Sequence, residues 1–375
     1  MMERILNIIE FSPKDKIIFT LGRFDNGVIN IVDRYEIEDI NYKNNKILKI
    51  NEFKERMDNE LIKIEDTFNN IDNIVSIYDK PTFYKKRFVL NSKEERKIKE
   101  SDLDNMISLI RSSLEKEGKE IIQIFSSEFY IDDKKVEVPI GEKGKKFIAI
   151  FNVFGIEKDK IKVLKSIFNR KKNPLKCIYF SPLLLINGIK DSFSKNFIID
   201  MESPFSYIIF GIDNIPNQVE YVELGTRDVV RDLSYVLEIP PRESEDYLFK
   251  KGALDQKIFY DLDYPMSVEK KVASMRVIEI FEMIEKKMKK LPFKFYPDEI
   301  VICGEGAKIK NIKEFAKEYF DLPTSIGEPY DYKSDLKIDS LDVITTIGAI
   351  RSYIDKDKKE SFFNKLMNIF EKIFD

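Results

Sequence analysis

Apolar residues along the chain recur with two spacings, one typical of strands and one typical of helices. Short apolar runs at 16–21 and 28–33 predict two strands, and Asp25-Asn26-Gly27 between them predicts a tight turn. Steps of three and four residues over 51–70 predict a helix, and 74–78 predicts a further strand. This β-β-α-β order indicates one lobe of an α/β protein.

The pattern changes near Tyr84, where a separate small unit is predicted. A helix opens at Ser101 and Asp102, two residue types that favour a helix N-terminus. The strands predicted around it are 87–90, 120–125, 129–131 and 147–154. Because the α/β pattern resumes afterwards, we expect an inserted α+β subdomain over 84–156.

A second α/β half follows from residue 196. Residues 196–211 predict a strand, a turn and a strand, and 219–224 predicts a third strand. The helices predicted after it are 227–237, 241–252 and 267–291. We therefore expect two lobes in the chain.

Residues 299–329 hold the strongest local pattern. Ile300–Cys303 has the composition of a buried strand, and Gly304 and Gly306 follow it before the apolar spacing of a helix. Backbone N–H groups at a helix N-terminus suit an anion such as phosphate, and glycines let a flat ligand approach the main chain. The alternative is an ordinary strand-to-helix turn.

Composition narrows the classes of function. The 375 residues carry a net charge of −3, which argues against a dedicated nucleic-acid binder. The sequence contains no histidine and only two cysteines, which excludes histidine-dependent nucleophiles and histidine or cysteine zinc sites. Cys177 and Cys303 are expected to be core thiols. The N-terminal residues do not resemble a secretory signal and no apolar run is long enough to span a membrane, so we expect a cytoplasmic protein.

Four segments in this order resemble FtsA, the cell-division family of actin-like ATPases. They are IIQIFSSEFYIDDKKVEVPIGEKGKKF in the inserted unit, LGTRDVVRDL with PPRESED, ICGEGAKIKNI, and LPTSIGEP. The resemblance implies an α/β fold of the two-lobed actin-like (ribonuclease H-like) type, with an inserted α+β subdomain and a C-terminal amphipathic helix. It implies first-lobe core at 1–83 and 157–194, the inserted subdomain at 84–156, second-lobe core at 195–226 and 298–340, an outer subdomain at 227–297, a closing helix at 341–354, a linker at 355–360 and a membrane-targeting helix at 361–375.

The phosphate loops depart from the family pattern. The first loop reads IIEFSPKDKII, in which Glu10 or Asp15 could replace the acid but no glycine is present. The second reads DMESPFSY from Asp200, so that Glu202 and Pro204 stand where the family has glycines. A proline has no N–H, and a glutamate repels polyphosphate. Asp200 is either a remnant of the site or a charge that caps the strand end.

The resemblance implies a degenerate nucleotide site formed by few residues. Gly304 and Gly306 correspond to the family's adenosine side, and Glu243 and Glu245 keep the spacing of its adenine-side helix, in which a lysine is replaced by Leu248. We expect no catalytic residue, no metal site and no ATP hydrolysis. Cofactors are not expected, although the family binds ATP with Mg²⁺.

The last fifteen residues predict an amphipathic helix. Its apolar face carries Phe362, Phe363, Leu366, Ile369, Phe370, Ile373 and Phe374. A bulky apolar face behind a charged tether is typical of a helix that lies in a membrane interface. The alternative is a helix docked on its own domain or on a second copy.

These observations favour an adaptor that self-associates, as a dimer or filament, and tethers the FtsZ ring to the cytoplasmic membrane at the division site. The resemblance places contact with the FtsZ C-terminal tail on 227–297 and implies other divisome partners; no nucleic acid is expected. One alternative is an active actin-like ATPase or kinase in which Glu10, Asp15 or Asp200 holds magnesium. Another is a pilus-assembly relative of FtsA.

Overall fold

The computed structural model describes residues 4–358, except 26, 39, 171, 191–194, 213–214, 253, 262–263 and 291–296. The contacts divide the chain into two compact units. The first comprises residues up to 187, residues 331–337 and the chain from 346, and the second comprises 188–330 and 338–345.

The regular elements alternate along the whole described chain. Up to residue 188 they are β1 (Ile5–Ser12), β2 (Lys16–Asp25), β3 (Val28–Ile37), β4 (Tyr42–Lys43), β5 (Lys46–Ile47), α1 (Ile50–Thr67), β6 (Ile71–Ile77), β7 (Thr82–Lys97), α2 (Glu100–Lys116), β8 (Lys119–Ile131), β9 (Lys134–Val136), β10 (Lys143–Glu157), α3 (Lys158–Phe168), β11 (Leu175–Phe180) and α4 (Ser181–Gly188). They continue as β12 (Lys195–Met201), β13 (Ser206–Ile212), β14 (Ile215–Val222), α5 (Thr226–Leu237), α6 (Pro241–Asp246), α7 (Val268–Met288), β15 (Glu299–Cys303), α8 (Ile312–Phe320), β16 (Thr324–Ile326), β17 (Tyr332–Ser334) and α9 (Ile344–Lys358).

The first unit is built on a mixed sheet in the order β11-β6-β1-β2-β3-β17. Every residue of β1 is buried, including the polar Asn7 and Glu10. The Nδ2 atom of Asn7 donates a 2.8 Å hydrogen bond to Oδ1 of Asn73 on β6, which offsets the cost of burying both amides. The predicted β-β-α-β start is therefore wrong by one strand, because two polar residues interrupt the apolar pattern of β1.

The inserted unit is an antiparallel sheet in the order β7-β10-β8-β9, with α2 packed on one face. The two strands predicted at 120–125 and 129–131 form the single strand β8. Register shifts opposite Ile150 and Phe154 on β10 explain the break in the apolar alternation of β8. The core between α2 and the sheet includes Leu103, Ile107, Leu114, Phe147, Phe151 and Val153.

The second unit has a five-stranded sheet in the order β14-β13-β12-β15-β16. Three antiparallel strands are followed by parallel ones, as in the order β3-β2-β1-β6-β11 of the first unit. Each unit therefore contains the same ribonuclease H-like arrangement. Helices α5, α7 and α8 contribute to the core of the second unit through Val229, Leu233, Val277, Phe281, Ile312 and Phe315.

Two side-chain expectations concern the chain as a whole. Cys177 and Cys303 are both buried and free, as predicted. No helix among residues 4–358, as far as they are described, combines the length and apolar character needed to span a membrane.

Candidate functional site

The segment between β12 and β13 is the counterpart of the family's second phosphate loop. Asp200 ends β12 fully buried, beside Tyr207 of β13 and Cys303 of β15 in the strand registers. The chain then turns tightly, with the N–H of Glu202 donating to the carbonyl of Phe205 at 2.9 Å. Pro204 lies within this turn and has no N–H to offer. The segment is thus a compact hairpin turn.

The N-terminus of α5 donates its N–H groups to this turn. Thr226 N–H bonds the carbonyl of Glu202 at 3.0 Å, and Arg227 N–H bonds the carbonyl of Ser203 at 3.1 Å. A helix N-terminus is where an anion would be expected to bind, because its first N–H groups have no partner within the helix. Here those two donors are used by the protein's own backbone.

Gly304 permits close packing against the same turn. Its φ is +71°, and a Cβ at this position would lie 2.6 Å from Oδ1 of Asp200 and 2.8 Å from Oε1 of Glu202. A Cβ on Gly306 would collide with the side chain of Met201. The structure therefore brings Asp200, Gly304 and Gly306 together, but the space over Gly304 is taken by two carboxylates of the chain itself.

The helix predicted to start at the glycines begins later. A 3₁₀ turn covers Glu305–Lys308, and α8 starts only at Ile312. Asn311 lies between them with φ at +67°, a left-handed conformation that interrupts helical geometry. The expectation that the glycines coincide with a helix N-terminus is wrong, because the chain needs six further residues and the Asn311 turn before α8 begins.

Glu305 lies between the two glycines and faces inward. Its Oε2 atom accepts a 2.6 Å hydrogen bond from the Thr226 hydroxyl, and both side chains are buried. The contact links the turn after β15 to the first residue of α5. No sequence signal pointed to this pair, since the two residues are distant in the chain.

Cys303 experiences the negative charge of this region. Burial raises the pKa of its thiol well above the usual value, and the carboxylates of Asp200 and Glu202 raise it further. The thiol is therefore held in its neutral, weakly nucleophilic form.

The two glutamates assigned to the adenine-side helix do not belong to this packed group. Glu243 and Glu245 are exposed on α6, whereas Ser244 between them is buried. Leu248, which stands where the family has a lysine, is fully buried in the apolar core. This helix therefore packs through Ser244 and Leu248 and presents its carboxylates to solvent.

The first loop, in the first unit, is also tied internally. Pro13, Lys14 and Asp15 connect β1 to β2, and Asp15 has φ at +61°. Its Oδ1 atom accepts a 2.6 Å hydrogen bond from the N–H of Asn44 in the β4–β5 hairpin. The carboxylate that could have replaced the family's acid thus holds a neighbouring turn.

Together these contacts do not fit a polyphosphate. A phosphate cradle needs consecutive N–H groups aimed at the ligand, whereas the turn after β12 includes a proline and receives the N–H groups of α5 on its own carbonyls. Within the described ranges no group of three His, Cys, Asp or Glu side chains has an arrangement that could hold a metal ion.

A groove between α5 and α7 is the largest feature that the sequence did not identify by residue. It has a volume of about 740 Å³. Tyr235 is 85% exposed at its edge, and Arg276 bonds Oδ2 of Asp232 through Nε at 2.5 Å. Its lining comprises Arg231, Asp232, Tyr235, Val236, Lys271, Val272, Met275, Arg276, Ile278, Glu279 and Glu282. It lies within 227–297, and it combines apolar side chains with both signs of charge.

The predicted membrane-binding residues, from Phe362 to Phe374, lie outside the described residues. The expectation of an amphipathic helix over 361–375 stays a prediction.

Comparison with protein families identifies the inserted unit. Residues 80–154 match the family described as the SHS2 domain inserted in FtsA. These residues include most of β7 to β10 and all of α2.

Two curated proteins named cell division protein FtsA are similar to the chain. The protein of Borreliella burgdorferi is 22% identical over 271 residues, 64% of this chain and 63% of that protein. The protein of Buchnera aphidicola is 23% identical over 290 residues, 69% of this chain and 68% of that protein. The match thus covers less than two thirds of the Borreliella protein. With the inserted domain, these similarities confirm the resemblance to FtsA.

Solved structures confirm the actin-like fold. A chain of the PilM-PilN type IV pilus biogenesis complex superposes with a TM-score of 0.62 at 8% identity, covering 92% of this chain and 97% of that one. MreB5 of Spiroplasma citri bound to ADP gives a TM-score of 0.52 at 11% identity, covering 96% and 99%.

Proposed function

We propose that this FtsA-like chain is a cell-division adaptor that self-associates and tethers the FtsZ ring to the cytoplasmic face of the membrane without hydrolysing ATP. The observation that carries the proposal is the SHS2 domain of the FtsA type at residues 80–154, inserted into a ribonuclease H-like unit. Pilus-assembly and filament-forming proteins share the fold, but the inserted domain and the curated relatives both favour division.

The absence of turnover is supported by the residues around Gly304. Two carboxylates, those of Asp200 and Glu202, crowd the position that a nucleotide phosphate would approach. Each charge repels a phosphate at 4 Å by about 4 kcal/mol at an effective dielectric constant of about 20. Since Pro204 and the bonded N–H groups of α5 supply no compensating donors, ATP binding is weak or lost.

The α5–α7 groove supports recruitment of FtsZ. A short peptide binds best where exposed aromatic and aliphatic side chains are bordered by charges that fix its register. The groove has these features in Tyr235, Met275 and Arg276, and it lies in the subdomain to which the resemblance assigns the FtsZ tail. We assign the docking surface to this groove.

Membrane attachment rests on the sequence of residues 361–375. Burial of Phe362, Phe363, Phe370 and Phe374 in a membrane interface would contribute roughly 1.5–3 kcal/mol for each side chain as an upper bound. That is enough for reversible attachment after the cost of ordering the segment. Lysines and acids alternate on the other face, so apolar burial dominates over attraction to anionic lipid.

Capture of the chain by an immobilised FtsZ C-terminal peptide tests the proposal. We expect retention of the full chain on the peptide and none on a scrambled peptide of equal composition. A chain that ignores the FtsZ peptide but is retained by the PilN protein of a pilus system would instead be a pilus-assembly relative.

A further inference from the structure

Strand β7 forms an open edge of the inserted domain. It pairs with β10 in regular register from Thr82, opposite Gly155, to Asn91, opposite Lys146. In the order β7-β10-β8-β9, the other side of β7 pairs with no strand among the described residues. An edge of this length presents a row of backbone donors and acceptors to which an extended chain can add.

The regular part of this edge carries positive charge only. Lys85, Lys86 and Arg87 follow one another, and no acidic residue occurs between Thr82 and Ser92. Lys85 and Arg87 are exposed, while Lys86 on the opposite face of the strand lies 5.1 Å from the centre of the Tyr84 ring. The edge is thus basic, although the chain as a whole has a net charge of −3.

An apolar position lies next to the basic residues. Val89 is 39% exposed and lies opposite Ile148 of β10, on the sheet face that carries Lys85 and Arg87. A bound strand that alternates acidic and apolar residues would therefore find partners for its side chains as well as for its backbone.

A second copy of this chain does not fit the edge. Antiparallel pairing of 82–91 with itself would place Lys86 opposite Arg87 at the two-fold axis, and like charges directly opposite each other destabilise a sheet. Glu94 and Glu95 could supply acids, but they lie between Asn91 and Arg96, where β7 departs from regular register with β10. The charge pattern favours a different, acidic partner.

The geometry points to strand addition at β7 by an acidic extended segment of another protein. Its carboxylates would lie beside Lys85 and Arg87, and an apolar side chain would contact Val89. This assigns to the inserted domain a recruiting surface that is independent of the FtsZ groove and of the terminal helix, and it goes beyond the proposed function.

Fluorescence polarisation with a short labelled peptide of alternating glutamate and valine tests the assignment on the full chain. We expect saturable binding that weakens with salt, and no binding of the same peptide carrying N-methyl groups at alternate residues, because these remove the backbone donors. Arg87→Glu should weaken binding roughly tenfold, since it exchanges attraction for repulsion at one pair. Lys93→Glu, outside the regular edge, is the matched control and should leave binding unchanged.

Amide hydrogen exchange supplies a second measurement on the same samples. Addition of the peptide should slow exchange in 82–91 and leave β9, at the other side of the sheet, unaffected. Equal affinity for the N-methylated peptide, equal weakening by Lys93→Glu, or absence of binding would each overturn the assignment.

Discussion

The Thr226 hydroxyl donates a 2.6 Å hydrogen bond to the buried carboxylate of Glu305. This bond joins the start of α5 to the turn after β15, the region where the fold family binds nucleotide. Thr226→Val should leave a buried carboxylate without this donor and lower the free energy of unfolding by about 1–3 kcal/mol. Urea denaturation measures the change.

Thr67 provides a control for that substitution. Its hydroxyl bonds only the backbone carbonyl of Lys63 in the exposed last turn of α1. Thr67→Val should change stability by no more than about 0.5 kcal/mol. Equal effects of the two substitutions would show that the Thr226–Glu305 bond has no special role.

Gly304 should tolerate no side chain. Gly304→Ala combines a conformation that only glycine adopts readily with collision against Asp200 and Glu202. Gly27 has φ at +87° but nothing within 4 Å of an added Cβ, so Gly27→Ala carries the backbone strain alone. We expect Gly304→Ala to cost about 1–3 kcal/mol more than Gly27→Ala in thermal or urea unfolding, by the usual magnitude of overpacking. A smaller cost at Gly304 would mean that the carboxylates readily move away.

Mg-ATP should not stabilise the chain. A ligand present at about one hundred times its dissociation constant stabilises a protein by about 2.7 kcal/mol, which shifts a melting temperature by several degrees. We expect no such shift with millimolar Mg-ATP, no heat in calorimetry and no release of phosphate. Micromolar affinity or measurable turnover would restore the alternative of an active ATPase or kinase.

Tyr235 should dominate binding of the FtsZ peptide. It is exposed at the α5–α7 groove and can cover a bound peptide, so Tyr235→Ala should weaken binding by about 2 kcal/mol, or roughly thirtyfold. Tyr260 is 76% exposed outside the groove lining, and Tyr260→Ala is the matched control. Isothermal titration should show no change for the control. A loss shared by both variants would place the docking surface elsewhere.

Much of the fold followed from apolar periodicity. The sequence predicted α1, α7 and the inserted subdomain because their buried residues recur with regular spacing. It missed β1, whose Asn7 and Glu10 are buried through tertiary contacts that periodicity does not encode. Polar residues inside a central strand were the main source of error.

The candidate site was only half predictable. Asp200 and Gly304 were expected to meet because β12 and β15 run parallel and end at the same edge of their sheet. The bond between Thr226 and Glu305 depends on how α5 returns to that edge, and the exposure of Glu243 and Glu245 depends on which side of α6 packs. Both are tertiary facts that spacing along the chain does not determine.

Cosedimentation with zwitterionic phosphatidylcholine vesicles tests the central claim most directly. Purified FtsZ, the full chain and a variant that ends at residue 358 would be compared at equal concentrations. The tether account predicts that FtsZ pellets with the vesicles only when the full chain is present, and that the shortened chain still binds FtsZ but stays in the supernatant. Unchanged sedimentation of the shortened chain, or failure of the full chain to bring FtsZ to the lipid, would contradict it.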